Sequence, residues 1–217
     1  MSAPARAVLF DLDGTLLDTA PDIAAALNAL RREHNLEELP LARIRPHVSH
    51  GGRAVLRLGF PDLEHEETPR YLQRLLNLYH ARIAAETQPF EGMLEVLDRL
   101  ESLSVRWGVV TNKAGWLTLP LIEEMRLDTR AAAIVCGDTL AVRKPDPAPL
   151  LHAAQLMQID PQACIYVGDA ERDMVAARAA GMRGIGARFG YIGADEDLGR
   201  WPAHGWIDAP LEVLEWL

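Results

Sequence analysis

The chain has 217 residues and a formal net charge of −9, from 22 basic and 31 acidic side chains. This length is enough to bury a sizeable core, and the acidic balance argues against nucleic acid or an anionic membrane as the main partner. No apolar run is long enough to span a bilayer, and residues 1–6 do not resemble a signal peptide. We therefore expect a cytoplasmic protein.

The first predicted element is a short buried strand over residues 7–10, which ends in Asp11-Leu12-Asp13-Gly14. Ligands of open α/β sheets lie beyond the carboxyl ends of the strands. Two neighbouring carboxylates repel each other unless a cation or a proton separates them, and Mg²⁺ prefers such hard oxygen ligands. A polar turn explains this segment equally well. A calcium loop does not, because its sixth and twelfth positions hold Leu16 and Asp22 where glycine and glutamate are needed.

Residues 18–88 have a helical pattern and contain no good strand. Thr19, Pro21 and Asp22 indicate a helix start, with Thr19 as the cap and Asp22 next to the helix dipole. A polar, glycine-bearing loop, residues 47–52, interrupts the helical stretch. The predicted helices of this stretch cover residues 23–32, 41–44, 53–58 and 69–85.

From Phe90 onward the pattern alternates between helix and strand, which predicts a parallel sheet. The predicted strands cover residues 107–110, 132–136, 164–167 and 184–188. The predicted helices cover residues 93–103, 116–125, 147–157, 171–180 and 210–217. The helical stretch is then an insertion after the first strand. We predict an α/β core made of residues 1–17 and 89–217, with an all-helical cap over residues 18–88.

Polar residues follow three of the predicted strands and are expected to meet at one edge of the sheet: Asp11 with Asp13, Thr111 with Asn112, and Asp169. Asp173, four residues after Asp169, is placed either to support a metal site or to stabilise a helix N-terminus.

The chain has only two lysines, Lys113 and Lys144, and both follow predicted strand ends. Two prolines stiffen the loop that carries Lys144. An ammonium group there is suited to phosphate, although a composition that favours arginine also operates. Whether Lys113 is functional or structural stays open.

These four groups of residues resemble, in order and spacing, the motifs of haloacid dehalogenase superfamily phosphatases of the phosphoglycolate-phosphatase-like subfamily. Asp11–Thr15 is similar to the first motif, Thr111 with Asn112 to the second, and Lys144 to the third. Residues 168–173, Gly-Asp-Ala-Glu-Arg-Asp, are similar to the fourth. Residues 107–113 and 188–192 also resemble the bacterial N-acetylmuramic acid 6-phosphate phosphatases.

The resemblance implies a Rossmannoid core with strand order 5-4-1-2-3 and a mobile helical cap. It also implies a Mg²⁺-dependent phosphomonoester hydrolase. Asp11 would be the nucleophile and Asp13 the general acid and base. Thr111, Asn112 and Lys144 would bind the phosphoryl group, and Asp11, Asp13 and Asp169 would hold the metal, supported by Asp173.

Cap residues are expected to choose the leaving group, and we single out Arg45, His47, Ser49 and His50 on the loop that would descend over the site. Arg45 is the favoured ligand for a carboxylate or sugar oxygen. His47 and His50 are weaker candidates, since either one would suffice to order the loop.

Several alternatives stay open or are excluded. The substrate is a small phosphorylated metabolite, either phosphoglycolate or a sugar phosphate, and a β-phosphoglucomutase-type phosphotransferase stays possible. Asp13 argues against a dehalogenase, and the absence of lysine from the cap excludes a Schiff-base phosphonoacetaldehyde hydrolase. The oligomeric state, monomer or homodimer, is open.

The two cysteines are not expected to form a disulfide. By the family's strand order, two strands separate the strand ending at Cys136 from the one starting at Cys164. They would then lie roughly 14 Å apart, beyond the ~7 Å limit for a bridge.

Overall fold

The structure is a computed structural model that describes residues 4–217. Its centre is a six-stranded parallel sheet, which confirms the predicted α/β class. The strands of this sheet are β1 (Ala7–Phe10), β4 (Arg106–Val110), β5 (Ala133–Val135), β6 (Cys164–Gly168), β7 (Arg183–Ala187) and β8 (Gly205–Ile207). Two further short strands, β2 (Leu17–Asp18) and β3 (Gln88–Pro89), pair with each other in an antiparallel ladder.

The strand order is β5-β4-β1-β6-β7-β8. For the first five core strands along the chain this is the predicted 5-4-1-2-3 arrangement, viewed from the other edge. The edge strand β8 was not predicted, because three residues are too few for a period-two pattern to be recognised. The predicted C-terminal helix is also wrong in type, since Pro210–Trp216 forms a 3₁₀ helix.

In residues 4–217, eight α-helices surround the sheet or form the cap. They are α1 (Ala20–Glu33), α2 (Leu41–Ile44), α3 (Gly52–Gly59), α4 (Thr68–His80), α5 (Met93–Ser102), α6 (Gly115–Glu124), α7 (Ala148–Leu156) and α8 (Glu171–Ala179). None of the helices in residues 4–217 is long and apolar enough to cross a membrane.

Strand β1 is buried on both faces, as its continuous apolar run predicts. Val8 and Phe10 belong to one hydrophobic cluster, whereas Ala7 and Leu9 belong to the cluster on the opposite face of the sheet. This two-sided burial fixes the strand at the centre of the sheet, and its carboxyl end therefore lies between the ends of β4 and β6.

Helices α1–α4 lie between β2 and β3 in the chain and share a third hydrophobic cluster. The pair β2–β3 joins this helical unit to the sheet, with Asp18 opposite Gln88. We keep residues 18–88 as the proposed cap on this basis.

The predicted start of α1 is correct, with Pro21 and Asp22 in its first turn, but the capping role predicted for Thr19 is wrong. Thr19 makes no capping hydrogen bond, and its hydroxyl instead donates to Asp13 at 2.5 Å. Asp22 is fully buried and accepts hydrogen bonds from the backbone N–H of Thr87 (2.9 Å) and from the Thr87 hydroxyl (2.8 Å). Asp22 therefore ties the beginning of the helical unit to its end, near the β2–β3 pair.

Both cysteines are free and buried. Strands β4 and β1 lie between β5 and β6 in the sheet, as predicted.

Candidate active site

The site is built around Asp11, directly after the central strand β1. The Asp11 side chain is 3% exposed. Its Oδ1 accepts hydrogen bonds from the Leu12 N–H (2.7 Å) and pairs with the Lys144 ammonium (2.9 Å). Its Oδ2 has a single cation nearby, Arg172 Nη2 at 3.8 Å. One carboxylate oxygen is thus held in place, while the other is less constrained.

Lys144 lies beneath Asp11 with its ammonium completely buried. It donates to the Val110 carbonyl (2.8 Å) and to the Tyr166 hydroxyl (2.6 Å), and it pairs with Asp11 and with Asp173 Oδ1 (2.8 Å). A buried ammonium with four oxygen partners has a fixed position. The loop that contains Pro145 and Pro147 thus places the Lys144 ammonium between the carboxylates of Asp11 and Asp173.

Asp11, Asp169 and Asp173 form a buried cluster in which one oxygen from each carboxylate lies within 4.8 Å of the others. Burial raises the pKa of Asp169 to about 7, and the charges of Asp11 and Asp173 act in the same direction. Burial likewise raises the pKa of Asp173, although the Lys144 charge opposes this.

Asp173 contacts both the network around Lys144 and the beginning of helix α8. Its Oδ1 belongs to the network around Lys144, and its Oδ2 accepts from the Ala170 N–H (3.0 Å) at the start of α8. One side chain, Asp173, therefore connects the N-terminus of helix α8 to the carboxylate cluster.

Asp169 has only neutral hydrogen-bond donors as partners. Its Oδ2 accepts from the Ser49 hydroxyl (2.7 Å) and the Tyr191 N–H (2.8 Å), and Thr15 Oγ1 lies 3.4 Å from its Oδ1. No lysine or arginine among residues 4–217 forms an ion pair with it. A buried carboxylate without a paired cation, close to Asp11, offers the hard oxygen donors that Mg²⁺ prefers, so the residues present are suited to that ion.

Asp13 lies apart from this cluster, on the cavity side of the turn. Its Oδ1 accepts from Thr19 (2.5 Å) and from the Lys113 ammonium (2.8 Å). Burial on its own would lower the pKa of Lys113, but the contributions of Asp13 and, to a smaller extent, Tyr79 together outweigh it and the pKa is raised. Lys113, whose role the sequence left open, is therefore a charged partner of Asp13.

Thr111 and Asn112 follow β4 and lie beside the carboxylates. Thr111 is buried, and its Oγ1 accepts from the Lys113 N–H (3.1 Å). The Asn112 amide donates to the Lys144 carbonyl (2.9 Å), while its Oδ1 has no hydrogen-bond partner in the part of the chain that the structure describes. Both residues line the cavity described below.

The four candidate cap residues divide into two pairs. Ser49 and His50 line the cavity, whereas Arg45 and His47 do not. Arg45 instead forms a two-pronged ion pair with Asp18 (2.9 Å for each contact) and stacks over the Tyr191 ring, 5.3 Å from its centroid. In this arrangement the Arg45 guanidinium is paired at the base of the cap and does not line the cavity. Its role as a ligand for the substrate stays a prediction.

A cavity of about 410 Å³ separates the cap from the core. Asp11, Asp13, Thr111 and Asn112 line its core side. Four basic side chains also line it, and these are Arg53, Lys113, Arg143 and Arg172. This local positive charge offsets the acidic balance of the whole chain, so the cavity is electrostatically suited to an anionic ligand.

The side of the cavity that faces the cap is mostly apolar. The lining side chains there include Val48, Val55, Leu72, Leu75, Leu76 and Tyr79. A cavity with an apolar wall and a few converging polar groups is typical of a small-molecule site.

A six-stranded parallel core, a helical unit inserted after β1, and paired carboxylates facing a buried lysine define the haloacid dehalogenase class. The chain belongs to the haloacid dehalogenase-like hydrolase family, whose model matches residues 8–187. This membership confirms the expected class of enzyme, a phosphatase of that superfamily.

Two curated relatives match nearly the whole chain. A phosphoglycolate phosphatase of Xanthomonas campestris pv. campestris (strain 8004) is 43% identical over 210 residues, which cover 97% of this chain and 95% of the relative. An N-acetylmuramic acid 6-phosphate phosphatase of Pseudomonas aeruginosa is 37% identical over 211 residues, which cover 97% and 93%. The crystal structure of a predicted phosphoglycolate phosphatase from Haemophilus somnus 129PT has a TM-score of 0.86 at 22% identity, with 97% of each chain covered.

Sequence reasoning gave no role to Arg172, Arg53, Arg143 or Tyr79, although all four line the cavity. Arg172 lies inside the fourth motif, and Arg53 directly follows two glycines of the cap loop. The positions of these two arginines in the sequence could therefore have indicated that they line the cavity. Tyr79 carried none, because one aromatic residue on an amphipathic helix is indistinguishable from a core residue.

Proposed function

We propose that this chain is a Mg²⁺-dependent phosphomonoester hydrolase that acts on a small phosphorylated metabolite through an aspartyl-phosphate intermediate. The observation that carries this proposal is the buried cluster of Asp11, Asp169 and Asp173, in which Asp11 lines the cavity and both Asp11 and Asp173 pair with Lys144. The phosphoglycolate-phosphatase type is the first candidate, because the Xanthomonas relative of that name matches almost the whole chain.

In the proposed first step, a carboxylate oxygen of Asp11 attacks phosphorus and the bond to the leaving oxygen breaks. Oδ2 is the oxygen less constrained by neighbouring donors, while Lys144 and the Leu12 N–H hold Oδ1. Asp13 gives a proton to the leaving oxygen. An alcohol departs and the phosphoryl group stays on Asp11.

In the second step, water attacks the aspartyl phosphate. Asp13 takes the proton from that water, phosphate leaves, and Asp11 is restored. Lys144, Arg172, the Thr111 side chain and the Asn112 backbone would bind the phosphoryl oxygens and offset their charge. Asp11, the Asp13 backbone carbonyl and Asp169 would hold the Mg²⁺ ion, which would supply charge neutralisation between an anionic nucleophile and an anionic substrate.

The volume of the cavity and its apolar cap wall favour a second candidate, a phosphatase for a sugar phosphate such as N-acetylmuramic acid 6-phosphate. The Pseudomonas relative carries that name. A two-carbon acid beyond the phosphate would leave much of an approximately 410 Å³ cavity without contacts. A phosphotransferase of the β-phosphoglucomutase type is the third candidate.

A phosphate-release screen tests this proposal. The purified protein is incubated with Mg²⁺ and a panel that includes phosphoglycolate, N-acetylmuramic acid 6-phosphate, glucose 6-phosphate and glucose 1-phosphate, with Asp11→Asn as the blank. We expect Asp11→Asn to lose at least ~10³-fold in turnover, and calcium to replace magnesium poorly because it favours higher coordination. Retention of a tenth of the wild-type activity by Asp11→Asn, or full activity after exhaustive chelation, would exclude the mechanism.

A further inference from the structure

One face of helix α4 forms a wall of the cavity. The residues of α4 that line it are Leu72, Leu75, Leu76 and Tyr79. Their spacing of three, four and seven residues puts them on a single helical face. Three of the four are leucines, so the Tyr79 hydroxyl is the one polar side-chain group that this face can offer a ligand.

Tyr79 is only 3% exposed, and its hydroxyl forms no hydrogen bond with any of residues 4–217. Burial raises the pKa of Tyr79, and the nearby Lys113 charge only partly opposes this, so the hydroxyl is neutral. A neutral phenol can donate one hydrogen bond and accept others. Buried polar groups without a partner are uncommon in proteins, which makes this hydroxyl a candidate for binding a ligand.

The surroundings of Tyr79 place it next to the leaving-group side of the reaction. The Lys113 ammonium lies 4.4 Å from the centroid of the Tyr79 ring and pairs with Asp13 at 2.8 Å. Asp13 is the residue proposed to protonate the leaving oxygen. Tyr79 thus reaches the region of the cavity where the organic part of a substrate would lie, from the cap side.

We propose that Tyr79 is a specificity-determining residue of this enzyme. Its hydroxyl bonds a polar substituent of the leaving group, and Leu72, Leu75 and Leu76 contact an apolar substituent. The preferred substrates are phosphate esters of hydroxylated compounds that also carry an acyl or alkyl group, and they are larger than phosphorylated two-carbon acids. This inference rests on the proposed phosphatase function and deepens it by naming the substrate class, which favours the second candidate, a sugar phosphate, over phosphoglycolate.

The test uses Tyr79→Phe, which keeps the ring over Lys113 and removes only the hydroxyl. Tyr71→Phe is the matched control. Tyr71 lies on the same helix, its hydroxyl lies 3.2 Å from His34 Nδ1, and it does not line the cavity. Each protein is assayed with N-acetylmuramic acid 6-phosphate, with glucose 6-phosphate and with p-nitrophenyl phosphate, which has no hydroxylated leaving group.

For Tyr79→Phe we expect the ratio of kcat/KM for N-acetylmuramic acid 6-phosphate to that for p-nitrophenyl phosphate to fall about tenfold. Tyr71→Phe is expected to change this ratio less than twofold. As a readout that does not depend on turnover, Tyr79→Phe in an Asp11→Asn background is expected to raise the Kd of N-acetylmuramic acid 6-phosphate by a similar factor, measured by calorimetry. Leu72→Ala provides an independent variant. We expect it to lower the ratio of kcat/KM for N-acetylmuramic acid 6-phosphate to that for glucose 6-phosphate.

The outcomes separate the two proposals. If the wild type releases phosphate but Tyr79→Phe leaves the ratio unchanged, the role of Tyr79 is wrong. If phosphoglycolate has a kcat/KM equal to or above that of the acylated sugar phosphate, the substrate class is wrong. If no phosphomonoester in the panel is hydrolysed with Mg²⁺, the proposed function itself fails.

Discussion

The hydroxyl of Ser49 on the cap loop donates a 2.7 Å hydrogen bond to Oδ2 of Asp169 at the end of β6. Asp169 Oδ2 also accepts from the Tyr191 N–H at 2.8 Å, and the Tyr191 hydroxyl donates to Asp18 at 2.6 Å where the cap begins. The position of the cap and the state of one proposed metal ligand are therefore connected by direct hydrogen bonds.

Removing the Ser49 hydroxyl should weaken this connection. We expect Ser49→Ala to lower the free energy of unfolding of the metal-free protein at pH 8 by about 1 kcal/mol, because a buried carboxylate loses a donor. Chemical denaturation in the presence of a chelator measures this. Ser102→Ala is the control, since its hydroxyl bonds only the Arg99 carbonyl on the surface. Equal, negligible changes in both variants would show that the Ser49 contact contributes nothing.

The raised pKa of Asp169 predicts opposite pH effects on metal-free stability and on metal binding. Its pKa in the folded protein is about 7, against 3.8 for an unperturbed group. The folded state therefore binds this proton more tightly, so the contribution of Asp169 to metal-free stability is present at pH 4 and is lost as the pH rises to 7. Because Mg²⁺ must displace the proton, its affinity should rise about tenfold from pH 5.5 to pH 6.5.

Thermal denaturation with and without Mg²⁺ across this pH range checks the Asp169 prediction. Asp169→Asn has no such proton, so we expect it to lose both the low-pH stabilisation of the metal-free protein and the pH-dependent response to Mg²⁺. A Mg²⁺-induced shift in Tm that is constant from pH 5.5 to pH 8 in the wild type would contradict it.

Lys144 is expected to support folding as well as the reaction. Lys144→Met leaves Asp11 and Asp173 buried without their shared cation. Breaking a buried pair in this way costs about 3–5 kcal/mol, and we expect a loss of that size in metal-free protein by urea denaturation. Arg143→Met, which replaces the exposed residue next to Lys144, should change the free energy of unfolding by less than about 0.5 kcal/mol. A metal-free Lys144→Met as stable as the wild type would refute this role.

Arg45 and His50, both first considered as substrate ligands, should behave differently from each other. Arg45 is paired with Asp18 away from the cavity, so Arg45→Ala should lower kcat for all phosphate esters to a similar extent by loosening the cap. His50 lines the cavity, so His50→Ala should lower kcat/KM about tenfold for a natural substrate and much less for p-nitrophenyl phosphate. A substrate-selective loss in Arg45→Ala would restore the original expectation for that residue.

Gly14 should not tolerate a side chain. Its φ is +84°, and a Cβ built there would lie 2.2 Å from Asp169 Oδ2. We expect Gly14→Ala to displace Asp169, since backbone at positive φ and a contact this short are both unfavourable for alanine. Calorimetry should show at least a tenfold loss in Mg²⁺ affinity, whereas Gly181→Ala, which has a positive φ but no atom within 4 Å of its Cβ, should retain it. Unchanged Mg²⁺ binding by Gly14→Ala would argue against Asp169 as a ligand.

Local patterns predicted the elements that depend on few neighbours. The buried strand before Asp11, the alternation after Phe90 and the helical stretch between them follow from apolar periodicity, which acts over a few residues. The edge strand β8 was missed because its three residues are extended only through their pairing with β7, which is distant from any local pattern. Thr19 was misread for a similar reason, since its hydroxyl bonds Asp13 in place of its own helix.

Sequence patterns are enough to predict the class of fold and to place Asp11, Thr111 and Asp169 at one edge of the sheet, because the ends of parallel strands meet there wherever the loops run. They do not predict which side chains meet across that edge, because those contacts form between distant segments. In the folded protein Lys113 pairs with Asp13, and Arg45 pairs with Asp18. Ser49 donates a hydrogen bond to Asp169, and the Lys113 ammonium lies over the Tyr79 ring. These contacts join residues at least 27 positions apart, and they depend on how the helical unit packs on the sheet, which no local pattern records.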